Sequence, residues 1–73
     1  MNPTDQLACS NTLLALRAED ERKAAYVFRN ARTEKTRARA AIVYRKAVTA
    51  LAEARRINDA ARAAFAAINK IEG

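Results

Sequence analysis

A chain of 73 residues with no histidine and one cysteine excludes a disulfide framework, a Cys/His zinc site and a nucleophile activated by imidazole. About half of it is apolar (51%), much of that alanine, so it can bury only a thin core, and self-association or a partner is the common remedy at this size. The net charge of +6 is concentrated in the middle third, where nine cations from Arg22 to Lys46 stand against Glu34 alone.

By contrast, Met1 to Glu21 carries four anions and one cation, and Ala47 onward carries four cations and three anions. A basic middle of this kind attracts polyanions or acidic protein surfaces through its summed field. No run of about 18 apolar residues is present, and Met1 to Leu16 lacks the basic start and apolar stretch of a signal peptide. A membrane span and secretion are therefore not expected, and the lone Cys9 points to a reducing, cytoplasmic (intracellular) setting.

In chain order, Asn2, Pro3, Thr4 and Asp5 predict a helix start, with proline in the first turn and Thr4 or Asp5 accepting from the orphan amides. No glycine or proline follows until Gly73, and alanine, arginine, leucine, glutamate and lysine favour helix throughout. The first stripe runs through Leu13, Leu16, Ala24, Val27 and Ala31, with Leu7, Leu14 and Phe28 beside it. Asn30 is expected to end this helix in the left-handed conformation, and Thr33 or Thr36 to cap the next.

The second stripe is a sustained heptad seam: Ala40, Val43, Ala47, Ala50, Ala54, Ile57, Ala61, Ala64, Ile68 and Ile71. Tyr44, Leu51 and Phe65 widen it on one flank, where Asn58 reads as a surface break rather than a register-setting contact across a helix pair. Carried backward, the seam would bury Arg29 and Arg22, so the two stripes lie in different registers and predict a bend between them. A single continuous helix, about 100 Å long at 1.5 Å per residue, is the alternative that no glycine or proline forbids.

The expected fold is therefore all-α. It is a single helical domain over residues 1–73, an antiparallel two-helix hairpin with helices at about 4–30 and 36–71 and a turn at about 31–36. Facing residues should sum to roughly 67, which pairs Val27 with Ala40, Ala24 with Val43, Leu13 with Ala54 and Leu7 with Ala61. The acidic run Glu19, Asp20 and Glu21 would then meet Arg45 and Lys46 and help fix the register. Beyond Ala61 the second helix has no partner in its own chain, so Leu51, Phe65, Ile68 and Ile71 are the expected interface for dimerisation into a bundle or docking on another protein.

Catalytic chemistry is not expected. Neighbouring carboxylates on a helix point about 100° apart and cannot share a substrate, so Glu19 to Glu21 read as a solvated face with a Glu19–Lys23 pair. Cys9 has no activating base and reads as a small, partly buried thiol, and no cofactor, metal or small-molecule substrate is implied. The basic surface, Arg29, Arg32, Lys35, Arg37, Arg39 and Arg45, grips phosphates or carboxylates, and Tyr26, Phe28 and Tyr44 among it could stack on bases. The function expected is a non-enzymatic protein-protein interaction module that assembles or blocks a macromolecular partner. The alternative is a basic protein that binds DNA or RNA through phosphates. In size and expected architecture the chain resembles small helical-hairpin accessory proteins of plasmids and phages, a likeness of fold alone.

Overall fold

A computed structural model describes residues 2–72, with side chains to residue 70. It is an all-α hairpin of two helices, α1 (Pro3–Arg29) and α2 (Glu34–Glu72), packed against one another along α1. At 1.5 Å per residue, the 39 residues of α2 account for the long axis of 57 Å. The chain therefore turns back once, and the continuous-helix alternative does not apply.

The ends follow from local hydrogen bonding. Asn2, rather than Thr4 or Asp5, caps α1: its Oδ1 accepts from the Asp5 amide at 2.8 Å, with Pro3 at the first helical position. Asn30 closes α1 without the expected left-handed conformation, at φ −100° and ψ 4°. Its side-chain amide donates to the Tyr26 carbonyl at 2.8 Å beside its own backbone N–H at 3.1 Å, and the Ala31 N–H reaches the Phe28 carbonyl at 3.3 Å. Thr33 then caps α2 in a reciprocal box. Its Oγ1 accepts from the Thr36 amide at 3.1 Å, and the Thr36 hydroxyl accepts from the Thr33 amide at 3.2 Å. Helix 2 thus starts two residues earlier than the sequence suggested, because Thr33 and not Thr36 is the cap.

The core is thin. Its buried apolar side chains among the described residues are Ala24, Ala40, Leu51, Ala54 and Ala61, so only Leu51 brings substantial area, stabilising by about 1.5–3 kcal/mol. Small residues on facing stripes let the two axes approach closely. The buried positions of α2 advance by four and three residues through Ala40, Leu51, Ala54, Asn58 and Ala61, with Tyr44, Ala47, Phe65 and Ile68 half-buried in the same series.

The expected seam holds at Ala40, Ala47, Ala54, Ala61 and Ile68, and its alternate positions move one residue along the chain. Leu51 and Asn58 lie within it, whereas Val43 and Ile57 remain 57% and 43% exposed along one edge. On α1 the buried positions are Ser10 and Ala24, with Leu7, Leu13, Leu14, Ala18, Glu21, Ala25 and Phe28 half-buried, while Leu16 and Val27 stay exposed. Two adjacent stripes on each helix share the seven-residue spacing, so spacing alone does not choose between them. The choice falls on the stripe whose bulkier side chains fill the interhelical gap and whose one polar member finds a partner.

That partner sets the register. Asn58, 1% exposed, donates through Nδ2 to Ser10 Oγ at 3.0 Å and to Asn11 Oδ1 at 2.6 Å. Counted from Asn58 and Ser10, facing residues sum to 68, which places Leu14 opposite Ala54 and Leu7 opposite Ala61. The expected charge register does not form. Every ion pair among the described residues lies within one helix: Arg17–Asp20, Arg22–Glu19, Lys23–Glu19 at 4.0 Å and Glu53–Arg56. Carboxylates with a cation three or four residues away are satisfied locally and do not reach across.

Candidate functional site

Val27, Val43 and Ile57, three of the large apolar side chains left exposed, line an open groove along one side of the hairpin, whereas Leu16, Tyr26, Ile42 and Val48 lie outside it. At the turn end it is lined by Val27 of α1, Val43 and Ala50 of α2 and a floor of Ala24, Ala40 and Ala47. Toward the open end it continues over Leu13 and Ile57, above Ser10 and Ala61. Val27 is 58% exposed. The groove exists because each helix carries one heptad stripe more than a two-helix seam can cover.

Its rim is charged at the turn end only. Arg17, Lys23, Arg39 and Lys46 surround it there, with Asp20 as the one acid, and Arg17 Nη1 holds Asp20 at 3.2 Å. Lys23 stands 4.0 Å from Glu19, whose carboxyl is held below its ordinary value first by the hydrogen bond from Arg22, then by the charge of Arg22 and, more weakly, that of Lys23. Cys9, expected to be partly buried, is exposed at the open end of the groove, because it lies on the stripe next to Ser10 and not on the seam.

On the opposite side, the rings of Phe28 and Tyr44 stack at 6.0 Å and 16°, flanked by Glu21, Arg22, Ala25, Tyr26 and Arg29. Phe28 and Tyr44 are thus occupied with each other, while Tyr26 is 64% exposed. The six expected cations are all exposed, but they do not form one patch. Arg39 borders the apolar groove, Arg29 borders the aromatic pair on the other side, and Arg32 sits in the connection between the helices.

The expected interface residues divide. Leu51 is buried within the hairpin at 8% exposure, which leaves it little surface to offer a partner. Phe65 and Ile68 are half-buried, and the side chain of Ile71 lies outside the described residues. With facing residues summing to 68, Phe65 still lies opposite Pro3, so the unpaired stretch of α2 begins after it and not after Ala61. Sequence reasoning missed the groove as a surface because it assigned Val43, Ala50 and Ile57 to the seam itself. The signal present was a pair of adjacent heptad stripes on each helix where one interface needs fewer.

The fold and this surface define a small all-α hairpin that carries an apolar groove beside its own seam. The chain matches no family model, no curated protein and no solved structure. Among the described residues, no helix is long and apolar enough to cross a membrane.

Proposed function

We propose that this protein is a non-enzymatic, intracellular interaction module that binds a macromolecular partner and assembles or blocks it by occupying its surface. The observation that supports this reading is the groove. Val27, Val43 and Ile57 expose apolar surface along this side of the helix pair, with Leu13 half-buried beside Ile57, and a chain with so thin a core gains by covering them. Affinity capture from the native cell tests it, comparing the wild-type chain with Val43→Asp/Ile57→Asp. Both positions are exposed, so the variant should keep its helicity and lose whatever the wild type retains. Equal capture by both, or by neither, removes the reading.

A second reading is phosphate-mediated binding of DNA or RNA. It draws on Arg29, Arg32, Lys35, Arg37, Arg39 and Arg45, all exposed and none in an ion pair among the described residues. Binding of this kind must weaken steeply with salt. Absence of binding to either nucleic acid at low ionic strength ends it.

A further inference from the structure

We infer that the occupant of the groove is a second copy of this chain, packed antiparallel so that α2 meets α2 of its mate about a two-fold axis at Ala50. The inference rests on the interaction-module reading and names its partner. The groove edge of α2 carries one residue per heptad, Thr36, Val43, Ala50 and Ile57, and the series continues to Ala64. An antiparallel copy centred on Ala50 sets residues that sum to 100 opposite one another. Val43 then meets Ile57 of the mate on both sides of the axis, Ala50 meets Ala50, and Thr36 meets Ala64. Each pair occurs twice, as an isologous interface requires, and the larger pairs flank a small centre that lets the two helices approach.

The charges obey the same operation. Lys46 lies on the groove rim, and Glu53 follows seven residues later on the same stripe. Their numbers sum to 99, so the rotation sets Lys46 of each copy beside Glu53 of the other, twice over. Glu53 is exposed and pairs with Arg56 through one carboxylate oxygen. The rotation also lays the turn of one hairpin, within the segment of nine cations and one anion, against the open end of the other, where Asp5 and Asp59 balance Arg62 and Lys70. A parallel copy would place two such turns together. Charge thus selects the antiparallel arrangement, and the apolar pairs give it area.

The test is molar mass in solution, by sedimentation equilibrium over a range of concentrations. The full chain is expected at about twice its 8.1 kDa. Lys46→Glu, an exposed change that leaves the hairpin seam untouched, should weaken association about tenfold, and Lys46→Glu/Glu53→Lys should restore it. In a Cys9→Ser background, Ala50→Cys should yield a disulfide-linked dimer under mild oxidation, since the position meets itself at the axis. A chain that stays at 8.1 kDa throughout overturns the second copy. If capture of a different protein still depends on Val43 and Ile57, the module reading survives that result; if nothing is captured, both fall. A dimer indifferent to Lys46→Glu and to Val43→Asp also overturns the inference, because it associates through another surface.

Discussion

Asn58 in α2 donates to the Ser10 hydroxyl of α1 at 3.0 Å, and that hydroxyl in turn donates to the Leu7 carbonyl at 3.0 Å. Both side chains are nearly inaccessible, at 1% and 3% exposure, and they lie 48 residues apart in the chain. A polar pair buried in a seam of alanines adds little net stability, since the desolvation of an amide offsets most of what its hydrogen bonds return. What it adds is uniqueness. A slip of one heptad would set Asn58 against Arg17 or Pro3, and a half-heptad slip against Leu14 or Leu7, none of which has a side-chain acceptor to replace Ser10.

Asn58→Ala should lower the unfolding free energy by about 1–3 kcal/mol, read from denaturant midpoints followed by helicity. Asn58→Leu should match or exceed wild-type stability while losing a single register, seen as multiple amide resonances for α1 residues. A Leu variant with one sharp set of resonances and wild-type pairing would show that alanine packing alone fixes the register.

The stacked pair Phe28 and Tyr44, 6.0 Å apart, closes the turn end on the side away from the groove. Both rings are half-buried, so Phe28→Ala should cost about 1–3 kcal/mol, below the full cost of a buried phenylalanine. Tyr44→Phe should cost much less, because stacking and not the hydroxyl holds the pair. Thermal unfolding of the two variants checks the order.

Thr33→Ala removes the acceptor for the Thr36 amide and half of the reciprocal cap that starts α2. The expected loss is about 1 kcal/mol, with Thr33→Asp close to wild type because aspartate caps equally well. Equal effects of alanine and aspartate would show that the hydroxyl bond contributes nothing measurable.

Glu19 has a carboxyl pKa held below the ordinary 4.5, with the Arg22 hydrogen bond the first cause. A depressed folded value contributes stability above the unfolded value and loses it as pH falls through the folded one. Any contribution from this exposed pair is therefore present at neutral pH and fades below about 4.5. Arg22→Ala should move the Glu19 titration upward toward the ordinary value, measured from its side-chain carboxyl resonance against pH. An unmoved titration would assign the depression to Lys23.

Much of the fold was legible in the sequence because helix propensity and heptad spacing are local properties. The absence of glycine and proline between Pro3 and Gly73 pointed to helix throughout, and two apolar stripes in different registers, with weak helix formers near Asn30 to Thr36, pointed to a turn between two helices. The Glu19–Lys23 pair was legible for the same reason, as an i,i+4 relation on one helix. The candidate site was not. Val43, Ala50 and Ile57 and the neighbouring stripe of Tyr44, Leu51 and Asn58 repeat with one period, and a single helix gives no reason to bury one before the other.

By itself, then, the sequence determined an all-helical chain and its charge distribution, and it favoured an antiparallel hairpin over one long helix. Each depends on residues close in the chain or on the length between turn and ends. Only the tertiary structure decided which stripe became the seam and which became an open groove. That decision depended on the approach of α1 and on Asn58 meeting Ser10 and Asn11, and a buried amide chooses its side only when an acceptor from the other helix is within hydrogen-bond reach.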